Sequence, residues 1–162
     1  MMKKIYIVLA AMLASANAHG GSFGKYGVGI FGSAEYGRAE TKVFSLGYEE
    51  EWFGPFIHQY ELGLFADQGQ DGRKSSGFGF YSAGVEVNPG YLVIRSLWGV
   101  GIITSPDTML GGNFQFTQDF LVGVRDNKNN MIGLVYKHIS SAGLELPNKG
   151  RDFLTLQVEI PW

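Results

Sequence analysis

The chain has 162 residues, of which 13 are basic and 15 acidic, for a net charge of −2. Its basic residues are scattered, which argues against a nucleic-acid partner, and it has no cysteine with which disulfides could close a small exported fold. Twenty-four glycines and an aromatic content of 14% favour a curved β-sheet.

The N-terminus has the pattern of a cleavable secretory signal. A basic pair at Lys3-Lys4 precedes an apolar run from Ile5 to Leu13, and a small-x-small cleavage site follows at Ala16-Asn17-Ala18. The apolar run is too short for a transmembrane helix, which needs about 20 residues, although an uncleaved N-terminal anchor is the alternative. We therefore expect a signal peptide at residues 1–18 and one domain at 19–162.

After residue 18, apolar and polar residues alternate with a period of two, and turn signals separate the alternating segments. Helical periodicity is hard to find in this part of the chain. Eight apolar stripes follow one another: Tyr26-Val28-Ile30, Phe44-Leu46-Tyr48, Tyr60-Leu62-Leu64, Tyr81-Ala83-Val85-Val87, Leu92-Ile94-Trp98-Val100-Ile102, Phe114-Phe116-Phe120-Val122-Val124, Ile132-Leu134-Tyr136 and Leu154-Leu156-Val158-Ile160-Trp162. The pattern predicts about eight antiparallel strands.

The connections between these stripes differ in length. Short turns are predicted at Asn88-Pro89-Gly90 and from Asp126 to Asn130. Longer loops run from Asp67 to Ser76, from Thr104 to Gly112 and from Ser141 to Arg151. Short periplasmic turns alternating with longer outer loops are typical of outer-membrane barrels, and so is an aromatic residue in the last strand.

The polar faces of the strands decide between a membrane barrel and a soluble one. A soluble sandwich or lipocalin-like barrel would show the same period, but no further sheet or helix layer is available to cover the apolar stripes. The opposite face carries charged and amide side chains that a lumen could pair: Glu49, Glu61, Glu86, Arg95, Gln115, Asp119, Gln157 and Glu159. We therefore predict an all-β, eight-stranded antiparallel transmembrane β-barrel in the outer membrane, with a filled lumen and no pore.

Three polar residues interrupt the predicted lipid-facing stripes. His138 and Ser140 have the parity of the apolar stripe on the seventh strand, and Asp152 has that of the eighth. Residues i and i+2 of a strand are about 6.5–7 Å apart, so the imidazole could reach the hydroxyl. A serine activated by a histidine that a carboxylate orients is a nucleophile for acyl transfer. The alternative is that the three are ordinary interfacial residues that bind water.

The sequence around these residues adds a resemblance. His138-Ile139-Ser140-Ser141-Ala142-Gly143-Leu144, followed by Pro147-Asn148-Lys149-Gly150-Arg151-Asp152, resembles the lipid A 3-O-deacylase (PagL) family. The family signature reads H-x-S-N-A-G-L, then P-N-x-G and an acidic residue. The resemblance implies an outer-membrane barrel that hydrolyses the 3-O-linked acyl chain of lipid A, the membrane part of lipopolysaccharide, without a metal or a cofactor.

Matching positions imply the roles of individual residues. Ser140 would be the nucleophile, His138 the general base and Asp152 the acidic residue, where the family also has glutamate. Ser141 departs from the pattern, because the family has an asparagine there that is thought to help form the oxyanion hole. Backbone N–H groups of Ser141 and Gly143 could hold the oxyanion instead.

Two other functions remain open at this point. One is a structural or adhesive barrel without enzymatic activity, for which changes at His138 or Ser140 would be silent. The other is a related esterase acting on phospholipids, a type that often needs calcium and a dimer, but no acidic calcium loop is evident. With no cysteine and no paired histidine spacing, a metal site is not expected. The oligomeric state and the acyl-chain specificity are left open by the sequence.

Overall fold

The computed structural model describes residues 20–31, 42–66, 75–105, 110–146 and 150–161. The predicted signal peptide and Trp162 lie outside the described residues. The strands are β1 (Gly20–Phe31), β2 (Lys42–Phe53), β3 (Phe56–Ala66), β4 (Ser76–Val87), β5 (Leu92–Ile103), β6 (Phe114–Arg125), β7 (Met131–Ser140) and β8 (Arg151–Pro161). Each strand pairs antiparallel with the next, and β8 pairs with β1 to close the barrel. The predicted eight-stranded antiparallel barrel is confirmed.

The two ends of the barrel differ in their connections. At one end, which we call the short-turn end, β2 and β3 are joined by Gly54-Pro55, β4 and β5 by residues 88–91, and β6 and β7 by residues 126–130. Asp126 organises the last of these turns, since its carboxylate accepts hydrogen bonds from the backbone and side-chain amides of Asn130. These bonds lower the pKa of Asp126. The other end, the long-loop end, carries the longer connections, including residues 141–150 between β7 and β8.

The outer wall is apolar along most of its height. On β6, for example, exposed and buried residues alternate from Phe114 to Val124, as the pleat of a strand requires. Its exposed aromatic and β-branched side chains would face lipid, whereas a closed ring of strands leaves no backbone edge to be satisfied. Among the described residues, none forms a helix long and apolar enough to cross a bilayer.

The lumen is filled with paired charges from the short-turn end to its middle. Arg95 is 2% exposed and forms ion pairs with Glu49, Glu86 and Glu159, and Arg125 also pairs with Glu86, at 2.6 Å. Farther along the axis, Lys137 Nζ lies 2.9 Å from carboxylate oxygens of both Glu61 and Asp119. The polar residues predicted to share one interior do so, and each cation in these clusters is paired with at least two carboxylates, which offsets part of the cost of burying them.

The lumen changes character towards the long-loop end. The rings of Phe65 and Phe78 stack there with their centroids 4.4 Å apart, and Phe153 stacks on Phe65 at 5.2 Å. Leu110, from the loop between β5 and β6, is buried in the same cluster. Apolar side chains thus pack against one another inside this end of the barrel.

Candidate active site

The apolar stripe on the outer wall of β7 changes at the long-loop end. Ile132 and Leu134 are exposed on this wall, and His138 and Ser140 continue the same face by parity. On β8 the exposed alternation of Leu154 and Leu156 leads back to Asp152 in the same way. The three predicted site residues therefore lie on one side of the wall, at one end of the β7–β8 hairpin.

The register of the hairpin brings two of them into contact. His138 and Asp152 are direct partners across β7 and β8, and His138 Nδ1 lies 2.7 Å from Asp152 Oδ1. Their side chains are 38% and 29% exposed, respectively. Because direct cross-strand partners bring their Cβ atoms within about 5.5 Å, an aspartate is long enough here, although the family signature also allows the longer glutamate.

The contact determines which imidazole nitrogen can serve as a base. An ionised carboxylate only accepts hydrogen bonds, so Nδ1 carries the hydrogen in the bond with Asp152. Nε2 is then the nitrogen left to accept a proton. Ser140 lies two residues farther along the same face, but within the described residues its hydroxyl forms no hydrogen bond with His138. The structure thus joins the histidine and the acid, and brings the serine to the same face without joining it to them.

The loop after Ser140 turns sharply. Ala142 and Gly143 both have positive φ angles, 51° and 80°, and the N–H of Leu144 donates to the carbonyl of Ser141 at 3.0 Å. Two central residues with positive φ are a feature of type I′ turns, and a positive φ at an alanine is uncommon. The side chain of Ser141 is buried, and its hydroxyl donates to the carbonyl of Glu145 at 3.0 Å.

Gly150, directly before β8, packs against the imidazole. Its φ is 66°, in the left-handed region that glycine adopts without steric penalty. A Cβ atom at this position would lie 2.7 Å from Cε1 and 3.2 Å from Nε2 of His138. The edge of the ring that is not bonded to Asp152 therefore lies against a residue with no side chain.

Comparisons with known proteins identify the family and the fold of the chain. Residues 42–161 match the family described as lipid A 3-O-deacylase (PagL). The chain belongs to this family. Its members are ester hydrolases, so the enzyme class expected from the sequence is confirmed. No curated protein sequence matches the chain.

A crystal structure of the outer membrane enzyme PagL has the same fold. It superimposes with a TM-score of 0.66 at 18% sequence identity, over 88% of this chain and 99% of that one. At this identity the likeness establishes the barrel architecture, and the family assignment rests on the sequence match.

Two further polar groups of this deacylase-family chain face the same part of the wall and were missed in the sequence. Gln118 is exposed on β6 and is the direct cross-strand partner of His138. The hydroxyl of Tyr136 donates to Asp152 Oδ1 at 2.7 Å. Gln118 has the parity of Phe116 and Phe120, so a strict count along the strand would have found it. Tyr136 belongs to the predicted apolar stripe of the seventh strand, and the structure shows that its hydroxyl donates to Asp152.

Proposed function

We propose that this chain hydrolyses the 3-O-linked acyl ester of lipid A in the outer leaflet of the outer membrane. Ser140 acts as the nucleophile, His138 as the general base and Asp152 as the acid that orients the base. The observation that carries the proposal is the 2.7 Å contact between His138 Nδ1 and Asp152 Oδ1 on the outer wall, at the end of two strand faces that carry mainly apolar side chains. Polar groups on a lipid-facing surface cost free energy, and a catalytic role for this pair accounts for that cost.

The reaction would proceed through an acyl-enzyme. The Ser140 oxygen attacks the ester carbonyl carbon while His138 Nε2 takes the hydroxyl proton. The tetrahedral intermediate collapses, the carbon–oxygen bond to the sugar breaks, and His138 returns the proton to the leaving alcohol. Water, deprotonated by His138, then attacks the acyl carbon. The bond to the Ser140 oxygen breaks, His138 returns the proton to that oxygen, and the fatty acid leaves. Asp152 keeps the imidazole in the tautomer that both steps need.

The oxyanion would be held by backbone N–H groups of Ser141 and Gly143. The family pattern has asparagine at position 141, but here the serine hydroxyl is buried and directed at the carbonyl of Glu145. This bond engages the hydroxyl within the loop, so backbone donors are the better candidates. Removing a single oxyanion donor typically costs about 100- to 1000-fold in rate, which makes the shape of this loop important for the reaction.

The position of the site in the barrel supports the outer leaflet as the place of the proposed reaction. The site lies at the long-loop end, and outer-membrane barrels direct their longer loops away from the periplasm. Lipopolysaccharide occupies that leaflet. An ester of a lipid in this leaflet would meet Ser140 at the height of the outer interface without leaving the membrane.

The test is mass spectrometry of lipid A from cells that make the intact protein or its Ser140→Ala variant. The intact protein should remove one 3-linked acyl chain, and the variant should remove none, because losing a nucleophile typically costs about a millionfold in rate. Ser96→Ala is the matched control. Ser96 has the outward parity of β5 and lies near the short-turn end, so this variant should deacylate like the intact protein.

Folding must be established in parallel, by the heat-modifiable mobility that β-barrels show in gel electrophoresis. If the folded, membrane-inserted protein leaves lipid A unchanged, the proposed reaction is wrong and a structural or adhesive barrel becomes the better account. If Ser140→Ala still deacylates, the assignment of the nucleophile is wrong.

A further inference from the structure

Asp152 receives two hydrogen bonds at a single oxygen atom. The Tyr136 hydroxyl lies 2.7 Å from Oδ1, and His138 Nδ1 lies 2.7 Å from the same oxygen. Tyr136 precedes His138 by two residues on β7, so both donors belong to one face of one strand. They approach the carboxylate from neighbouring positions along the strand that pairs with β8.

The position of Tyr136 on the outer wall indicates that its hydroxyl has a specific role. The residue is 42% exposed on the outer wall, where a phenylalanine would satisfy the need for an apolar ring facing lipid. Aromatic residues with a polar tip are common at membrane interfaces, but there the tip points to water or headgroups. The Tyr136 hydroxyl is directed instead at the carboxylate that holds the imidazole.

We propose that Tyr136 is a positioning residue that holds Asp152 in place and moderates how strongly this carboxylate attracts the proton of His138. The inference rests on the proposed function, in which His138 is the base. A hydrogen bond to an ionised carboxylate spreads part of its charge onto the donor and restricts its rotation. With the phenol in place, Asp152 fixes the tautomer of the imidazole without stabilising the protonated imidazolium as strongly as an unshared carboxylate would.

The Tyr136→Phe substitution removes only the hydroxyl oxygen and keeps the ring. Without this donor, the full charge of Asp152 Oδ1 acts on the imidazole, and the protonated ring is stabilised. In an NMR titration, the signal of His138 should therefore change at a higher pH in the variant than in the intact protein. The acidic limb of the pH dependence of kcat/KM should move in the same direction, because a protonated histidine cannot act as a base.

The first measurement is an NMR titration of 15N-histidine-labelled protein in detergent micelles, with the His138 signal assigned by its loss in His138→Gln. Tyr60→Phe is the matched control, because Tyr60 is 41% exposed on the outer wall of β3, on another side of the barrel. This control should leave the titration of His138 unchanged. A His138 titration in Tyr136→Phe that stays in place or moves to lower pH overturns the proposal.

The second measurement is the pH dependence of kcat/KM for the intact protein, Tyr136→Phe and Ser140→Ala on purified lipid A. A loss of about tenfold in Tyr136→Phe is expected from a weakened hold on the acid. Because the NMR titration requires no catalysis, it tests the role of Tyr136 independently of the proposed deacylase reaction. An inactive intact protein would contradict the deacylase proposal, whereas only the titration of His138 decides the role of Tyr136.

Discussion

Lys137 and His138 are consecutive residues on β7, and they lie in opposite environments. Lys137 points into the lumen, is 1% exposed and contacts the carboxylates of Glu61 and Asp119. His138 lies on the outer wall, is more than a third exposed and contacts one carboxylate, that of Asp152. Both side chains are paired with acids, but a buried lysine between two carboxylates has no access to a substrate, whereas the histidine does.

In this barrel, the region with the most charged side chains is therefore not the region of the proposed active site. The lumen holds the larger share of the described ion pairs, and its charged groups are closed into clusters by their neighbours. Such clusters hold strands in register, and they are costly to break once one partner is removed. The outer wall of β6 to β8 has few polar groups, and these converge on His138. We therefore expect lumen variants to affect stability and wall variants to affect activity.

The largest effect should come from Lys137→Met. Removing the ammonium leaves Glu61 and Asp119 buried without their shared cation, and breaking a buried pair in this way typically costs about 3–5 kcal/mol. The free energy of unfolding should fall by that amount in urea titrations of the protein in lipid vesicles. The protein that does fold should retain its deacylase activity to within a few-fold, because the outer wall is unchanged.

Lys42→Met is the control for this change. Lys42 is exposed at the long-loop end of β2, so the same substitution there should leave the free energy of unfolding almost unchanged. If Lys137→Met instead unfolds like the intact protein and loses its activity, the division between a structural lumen and a catalytic wall is wrong.

A smaller loss of stability, together with a loss of activity, is expected from Gly150→Ala. The methyl group would lie 2.7 Å from His138 Cε1, so the imidazole must move, and a displacement of about 1 Å can cost up to 100-fold in rate. The left-handed backbone adds a stability cost of roughly 1–2 kcal/mol. We expect kcat/KM to fall about 10- to 100-fold when normalised to the folded fraction.

Gly90→Ala is the control that separates the displacement of the imidazole from the cost of the left-handed backbone. Gly90 has a similar φ, 72°, but a Cβ atom there would have nothing within 4 Å. This variant should lose similar stability and keep full activity. Equal activities of the two folded variants would show that close packing of Gly150 on the imidazole is unimportant.

Much of this arrangement could be predicted from the sequence. Alternation with period two indicated eight strands and the face on which each apolar stripe lies, because successive side chains of a regular strand point to opposite faces. The same parity placed His138, Ser140 and Asp152 on one face. What parity cannot supply is the register between strands, which depends on the lengths and shapes of the turns. The shared oxygen of Asp152 and the packing of Gly150 on the ring both follow from the register.

The smallest effects should come from a matched pair of glutamine substitutions. Gln118 is exposed on the outer wall opposite His138, whereas Gln157 is buried in the lumen and donates to Glu159 at 2.5 Å. Gln118→Leu should raise the free energy of unfolding slightly, by less than about 1 kcal/mol, because an amide facing lipid is replaced by an apolar side chain. Gln157→Leu should lower it by about 1–3 kcal/mol, since it leaves a buried acceptor short of a donor.

The effects of this pair on activity should not follow their effects on stability. Gln118 is the direct cross-strand partner of His138, so in the proposed reaction it would lie near the bound ester. Gln118→Leu should therefore lower kcat/KM a few-fold, by about one hydrogen bond to the substrate. Gln157→Leu should leave kcat/KM of the folded enzyme unchanged. Vesicle-based unfolding and lipid A hydrolysis on the same preparations provide both values. A Gln118 variant that is more stable and equally active would limit the catalytic wall to β7 and β8, and would leave the polar residue on β6 as a cost that catalysis does not explain.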